Sequence, residues 1–248
     1  MNEKQLEQDN QYNYPYHYIP SFKNGFSQHV SWSWSKQYLS AVEFILSEIK
    51  NDTSSIESIL DVGCGDGRIT KELSDSFPNK KITGVDYSDK AISLAIALNP
   101  KGDYKCIDIC TDKNIGKYEA ITLIEVFEHV PKDKCSAFAN ALSNILIENG
   151  LLYITVPHKN KAITDKHFQH FSFDSLYDYF KNDFECVQIK YIQKHNKILT
   201  LLNYLFSNRF WLISNKFLNN IFYTYYKKRF FDASEHNCGR IFLKLRKN

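Results

Sequence analysis

The chain has 248 residues, 43% hydrophobic and 24% charged, with 31 Lys and Arg against 28 Asp and Glu. These proportions are those of a globular chain and exclude disorder, a collagen repeat and a disulfide miniprotein; a net charge of +3 is too thin to argue for a nucleic-acid partner. Nine glycines and six prolines stand where average usage gives roughly seventeen and twelve.

Residues 1–30 are polar and aromatic, with Tyr12, Tyr14, Tyr16, Tyr18, Phe22 and Phe26 punctuated by Pro15 and Pro20. They read as an extended arm or cap over a cleft. The first ten residues are polar and acidic, unlike a signal peptide, and no run of 18 apolar residues offers a transmembrane span. The six cysteines, Cys64, Cys106, Cys110, Cys135, Cys186 and Cys238, are scattered without a CxxC pair. Reduced thiols and a cytoplasmic location are expected.

From Ser35 to Lys50 the apolar set Tyr38, Leu39, Val42, Ile45, Leu46 and Ile49 recurs at helical spacing. Strand-like Ser58–Val62, helical Ile69–Phe77, strand-like Lys81–Asp86 and helical Ser88–Leu98 follow. Next come strand-like Tyr104–Ile109 and Ala120–Ile124, helical Cys135–Glu148, and strand-like Leu151–Val156, with Gly150 placed as a helix C-cap. Glu185–Ile192 and Arg240–Leu245 are the last strand candidates. This alternation predicts an α/β fold, a mostly parallel sheet with helices on both faces. The economical division is an arm over 1–35 and one domain over 36–248, with a helical insert at about 195–237 before the last strand.

The segment Ile59-Leu-Asp-Val-Gly-Cys-Gly-Asp-Gly67 runs from a strand into a helix. Glycines there allow positive φ and close approach of a ligand to the backbone, at the sheet edge where nucleotide-like ligands bind. A dinucleotide fingerprint would place its third glycine at Arg68; the spacing is instead GxGxG, with Asp61 two residues ahead. That carboxylate suits a cationic ligand group and would repel a pyrophosphate. The plainer reading is a tight strand-to-helix turn, with Asp86 as a helix cap.

With these motifs the chain resembles class I S-adenosylmethionine-dependent methyltransferases, whose first motif is (D/E)xGxGxG. The resemblance covers roughly residues 36–192 and 239–247 and implies a Rossmann-like sheet of seven strands. It implies that Asp86 accepts both ribose hydroxyls and that Asp108, in Cys106-Ile-Asp108, lies near the adenine amino group. The cofactor set it implies is Asp61, Gly63, Cys64, Gly65, Asp86, Tyr87, Asp108, Ile109 and Glu125.

Glu125-Val-Phe-Glu128-His129-Val-Pro131 follows the fourth strand, and Asp165-Lys-His-Phe-Gln-His-Phe-Ser172 follows the fifth. In a helical turn Glu125, Glu128 and His129 would share one face. Ser172 reads as the N-cap of a helix through Phe180, leaving His167 and His170 in a loop over the same sheet edge. The ExxEH segment is similar to that of O-methyltransferases of small-RNA 2′-hydroxyls and of ubiquinone biosynthesis. In the RNA family such residues bind a divalent ion, which implies Glu125, Glu128, His129 and His167 as ligands here, with His170 as alternative ligand or base. Mixed Glu/His ligation suits Mg, Mn, Fe or Zn. Without metal, Glu125 would contact cofactor or substrate, and His129, His167 or His170 would deprotonate a hydroxyl.

Leu199–Phe231 interleaves aromatics with Arg209, Lys216, Lys227, Lys228 and Arg229. Four readings are open: a lid over the acceptor, a stacking surface for nucleic acid, an interfacial helix pair on a membrane, or a hairpin packed on the body. The expectation is an O-methyltransferase for a sugar, phospho-sugar or other small polar, glycan-type acceptor. RNA terminal 2′-O-methylation and a non-catalytic cofactor-binding subunit are the alternatives.

Overall fold

The computed structural model describes residues 3–13, 15–18, 32–112, 114–213 and 215–248. Tyr14, Phe22 and Phe26 of the expected arm lie outside them. The chain folds as α1 (Glu3–Asn10), α2 (Trp32–Asp52), β1 (Ser58–Val62), α3 (Arg68–Ser76), β2 (Lys81–Asp86), α4 (Asp89–Leu98) and β3 (Asp103–Cys106). It continues through β4 (Tyr118–Ile124), α5 (Cys135–Ile145), β5 (Leu146–Pro157), α6 (Phe173–Tyr177) and β6 (Phe184–Lys194). Helices α7 (Lys197–Phe206) and α8 (Lys216–Phe230) then precede β7 (Cys238–Lys247).

The seven strands form one sheet in the order β3-β2-β1-β4-β5-β7-β6. The first five pair in parallel, and β7 inserts antiparallel between β5 and β6. Central strands buried on both faces need continuous apolar runs, and β5 supplies one from Gly150 to Pro157. One apolar core packs α5 and α6 residues such as Leu142 and Leu176 against one face. Another packs α2 and α3 through Ile45, Ile49 and Leu73 on the sheet. The strand order reverses between β1 and β4, so the crevice beyond their carboxyl ends is the natural ligand position.

Gly150 is not a helix cap. Leu146 already adopts extended geometry and pairs with Tyr118, ending α5 at Ile145, and Asn149 takes the left-handed turn at φ 62°. The resulting bulge places Gly150 inside β5. Over its described residues 3–13 and 15–18 the arm is not extended either. It forms α1 and two single turns, and Lys4 Nζ donates to the carbonyls of Asp165 and His167, both at 2.8 Å. In the insert α7 and α8 form a helical pair whose Leu199, Phe222, Tyr226 and Phe230 pack with Leu39 of α2. Among the described residues no helix is long and apolar enough to cross a membrane.

Candidate active site

Two adjoining cavities open at the carboxyl ends of the parallel strands. The first is lined by Val62, Gly63, Asp86, Tyr87, Ile107, Asp108, Ile109 and Phe138. The second is lined by Cys64, Gly65, Asp66, Tyr38 and Val42 of α2, Glu128, Lys161, Lys166, His167 and Arg240. Gln8, Tyr12, Gly63, Glu125 and His129 line both and so form the wall between them.

The glycine turn is shaped by steric necessity. Gly63 has φ +70°, and a Cβ there would lie 2.5 Å from Val126 Cγ2. Gly65 has φ +55°, and its missing Cβ leaves room for the Tyr12 hydroxyl. Both conformations favour glycine. The turn is pinned to β2, because Gly63 and Cys64 donate their N–H groups to Val85 O at 2.8 and 3.0 Å. Gly65 N–H donates to Asp86 Oδ2 at 3.0 Å, while Asp86 Oδ1 accepts from Ser88 N–H at 2.9 Å. Each Asp86 oxygen keeps a further lone pair for a ligand hydroxyl. Burial pushes this carboxyl up to about 6, against the lowering effect of those backbone donors.

The structure separates the residues expected around the cofactor. Gly63, Asp86, Tyr87, Asp108, Ile109 and Glu125 line the first cavity; Cys64 and Gly65 line the second. Asp61 lines neither. Its carboxylate accepts from the hydroxyls of Thr70 at 2.6 Å and Thr122 at 2.8 Å, tying β1 to α3 and β4. Burial again raises this carboxyl to about 6. The carboxylate expected to suit a cationic ligand group thus has two hydroxyl partners brought in by tertiary folding.

The ExxEH segment does not form the expected helical face. Glu125 has φ 57°, and the single turn that follows covers only Phe127–His129. Glu125 therefore points elsewhere: its carboxylate accepts from Arg240 Nε at 2.7 Å and Thr155 Oγ1 at 3.1 Å. Burial alone would raise this carboxyl, but Arg240 and Lys161 outweigh it and hold it below the ordinary carboxylate range.

Glu128, His129 and His167 do converge, each offering a ligand atom within 4.8 Å of the others. Among the described residues neither buried Glu128 oxygen has a hydrogen-bond partner. Burial, and then the Glu125 charge, push the Glu128 carboxyl well above its usual range. His129 Nδ1 donates to the Lys166 carbonyl at 3.1 Å, which assigns the lone pair to Nε2. His170 Nδ1 donates to the Lys161 carbonyl at 3.0 Å, so His170 Nε2 accepts from His167 Nδ1 at 2.7 Å. The unprotonated nitrogen of His167 is then Nε2 as well. Burial pushes His129 down to about 4 and His167 to about 2, so both rings are neutral at pH 7. Of the expected ligands, Glu125 leaves the set for Arg240. His170 sits behind His167, with both ring nitrogens occupied, and is outside the three-residue cluster.

Sequence reasoning missed several residues. Arg240 comes from β7 and pairs with a residue 115 positions away. Lys161 lines the second cavity, with burial and then Arg240 lowering its ammonium below the ordinary range. The arm was expected over a cleft, but not the particular contacts by which Gln8 and Tyr12 line the dividing wall and His17 Nδ1 lies 3.0 Å from Asp66 Oδ1 in the glycine turn. No local spacing signals these contacts.

The family described as "Methyltransferase domain" matches residues 33–196. The chain is 28% identical over 120 residues to a ubiquinone biosynthesis O-methyltransferase of Idiomarina loihiensis, covering 45% of this chain and 48% of that protein. It is 32% identical over 117 residues to a malonyl-[acyl-carrier protein] O-methyltransferase of Bacillus cereus, covering 46% and 43%. The chain thus spans about half the length of the curated relatives it matches. The solved N-methyltransferase NodS of Bradyrhizobium japonicum, in complex with S-adenosylhomocysteine, superposes with a TM-score of 0.56 at 12% identity over 82% of this chain and 84% of that one, a likeness of fold. With its matched segment, its sheet order and its glycine turn at the switch point, the chain belongs to the methyltransferase-domain family, the class I S-adenosylmethionine-dependent methyltransferases.

Proposed function

We propose that the chain transfers a methyl group from S-adenosylmethionine to a hydroxyl of a sugar, phospho-sugar or similar small polar acceptor, assisted by a divalent cation at Glu128, His129 and His167. The observation that carries this reading is the Glu128 carboxylate, buried with neither oxygen hydrogen-bonded beside two neutral imidazoles in the second cavity. Leaving a buried carboxylate unpaired is costly unless something else satisfies it. One carboxylate and two imidazole nitrogens suit Mg, Mn, Fe or Zn. The matched relatives named above are both O-methyltransferases, which favours oxygen over nitrogen as the acceptor atom.

In this reading the first cavity holds the cofactor. Asp86 accepts its ribose hydroxyls, Asp108 and Ile109 flank the adenine, and the Gly63 backbone approaches the methionine portion. The acceptor enters the second cavity, and its oxygen meets the methyl group at the wall shared by Gly63, Glu125 and His129. Arg240 and Glu125 fix each other there, while the Lys161 ammonium gives an anionic acceptor a countercharge. As the acceptor O–CH3 bond forms, the S–CH3 bond breaks in line, S-adenosylhomocysteine is released and the hydroxyl proton leaves to solvent. A bound divalent cation supplies Lewis acidity that lowers the pKa of a coordinated hydroxyl.

Calorimetric titration with S-adenosylhomocysteine and with Mn²⁺, separately and together, tests the reading. Both are expected to bind the wild type, and Glu128→Ala is expected to lose Mn²⁺ while keeping S-adenosylhomocysteine. Absence of S-adenosylhomocysteine binding would remove the methyl-transfer reading, and absence of Mn²⁺ binding would remove the cation alone.

A further inference from the structure

Helix α8 carries two apolar stripes. The first, with Phe222, Tyr226 and Phe230, is buried against α2 and α7. A helix packed on a protein body needs only that one. The second, Phe217, Ile221 and Tyr225 at i, i+4 and i+8, faces outward, and Phe217 is 72% exposed. Helix α7 repeats the pattern with Ile198, Leu201 and Leu205 exposed at i, i+3 and i+7, and Phe210 and Trp211 stand out from the connecting loop. Exposed large apolar side chains grouped on one hairpin mark an interaction surface rather than ordinary surface composition.

Charge decides what covers it. Residues 197–231 contain six bases and no acid. The chain has 31 bases and 28 acids, so removing those six leaves 25 against 28 and a net charge of −3 elsewhere. The positive balance of the molecule therefore resides in this hairpin. Lys227 is paired with Glu43 at 2.8 Å, but Lys197, Arg209, Lys216, Lys228 and Arg229 have no acidic partner among the described residues. Aliphatic and aromatic side chains flanked by cations match the boundary between acyl chains and anionic headgroups. A second copy of the chain would bring like charges together. The exposed aliphatic side chains Ile198, Leu201, Leu205 and Ile221 suit acyl chains, whereas a nucleic-acid strand would use only the aromatic ones.

We propose that the α7–α8 hairpin docks this protein on an anionic lipid bilayer, with Phe210, Trp211 and Phe217 entering the headgroup region and the five unpaired cations meeting the lipid charge. Helix α2 links this surface to the acceptor cavity: Lys36 lies 2.6 Å from Asn203 of α7, while Tyr38 and Val42 line the cavity. Docking stands on the hairpin alone and does not depend on methyl transfer.

The test is co-sedimentation of the full chain with vesicles of phosphatidylcholine alone and of an equimolar phosphatidylcholine–phosphatidylglycerol mixture. Binding to the mixed vesicles, weakened by salt and absent on phosphatidylcholine alone, is expected. Phe210→Glu with Phe217→Glu is expected to abolish binding at an unchanged thermal midpoint, since both side chains are exposed. Lys228→Gln with Arg229→Gln is expected to weaken binding about five-fold per cation. The proposal falls if neither vesicle is bound, if both are bound equally, or if the variants bind as the wild type does. It also falls if Phe217→Glu converts a dimer into a monomer, which assigns the face to a second copy, or if single-stranded RNA is retained where vesicles are not.

Discussion

Nδ1 of His167 lies 2.7 Å from Nε2 of His170, whose own Nδ1 lies 3.0 Å from the Lys161 carbonyl. The carbonyl fixes the His170 tautomer, and His170 in turn fixes that of His167, leaving the outer nitrogen of His167 free to ligate. His170 is thus a positioning residue for the cluster. His170→Ala is expected to reduce Mn²⁺ affinity about 10- to 100-fold while S-adenosylhomocysteine affinity stays at the wild-type value. Titration of both ligands on the same preparation reads the two effects apart, and equal loss of both would assign His170 to general packing.

Glu128 gives a prediction about stability. Its buried carboxyl has no hydrogen-bond partner among the described residues, and burial, then the Glu125 charge, push it well above the usual range. Ionising it therefore costs the cation-free fold, and a bound cation would offset that cost. Glu128→Gln keeps the shape of the protonated group and cannot ionise. It is expected to melt within about 1 kcal/mol of the wild type in the presence of a chelator, with loss of the stabilisation that added Mn²⁺ gives the wild type. Denaturant melts with and without chelator measure both; a variant stabilised by Mn²⁺ as the wild type is would remove Glu128 from the cation site.

Gly63→Ala is expected to be severe for two separable reasons. The φ of +70° costs any L-residue about 1–3 kcal/mol, and the new Cβ would meet Val126 Cγ2 at 2.5 Å. Adding Val126→Ala relieves the contact but not the backbone strain. The double variant should therefore recover part of the thermal midpoint lost by the single one. Full recovery would show that the turn relaxes freely, and no recovery would show that the contact is irrelevant.

How far these positions were readable beforehand follows from how local their determinants are. The strand–helix alternation, Gly63–Gly67, Asp86 at the end of β2 and the Ser172 cap depend on neighbouring residues and recur in the structure, although β3 stops at Cys106 rather than Ile109 and α5 at Ile145 rather than Glu148. Helix α6, expected through Phe180, stops at Tyr177. The grouping of Glu128 and His129 with His167 was implied by the resemblance, while spacing placed the histidine loop over the same sheet edge. Glu125 could not be placed, because its direction depends on a positive φ and on Arg240 from the last strand. The hydroxyl partners of Asp61 were out of reach for the same reason, since Thr122 belongs to another strand. The arm's contacts with residues 165–167 join segments more than 150 positions apart, which no periodicity encodes.

Cofactor affinity should depend on pH through Asp86. Burial raises its carboxyl to about 6 in the ligand-free fold, whereas accepting two ribose hydroxyls favours the ionised form and lowers it. The complex therefore binds fewer protons than the free protein between the two values, and affinity must rise with pH through that window. S-adenosylhomocysteine binding is expected to be flat above about pH 7 and to weaken towards ten-fold per unit below about pH 6. Asp86→Asn should weaken binding at neutral pH and remove this slope. A wild-type profile level from pH 5 to 8 would separate Asp86 from the ribose.

The arm supplies the last expectation. Gln8 and Tyr12 line both cavities, Lys4 bonds the loop that carries His167, Lys166 Nζ donates to Gln11 Oε1 at 3.0 Å, and Asp9 accepts from Ser88 beside Asp86. These ties join the cofactor side to the histidine loop, so lifting of the arm is expected to gate ligand release. The sheet and its two cores are built from residues beyond the arm. Deleting residues 1–13 is therefore expected to leave a cooperative melt while raising the S-adenosylhomocysteine dissociation rate at least several-fold, because lid opening sets release in such arrangements. Lys4→Met should give a smaller change in the same direction, as it removes two of the ties and leaves Tyr12. Stopped-flow displacement measures both rates, and a truncated protein that releases the ligand at the wild-type rate would show that the arm covers the cleft without closing it.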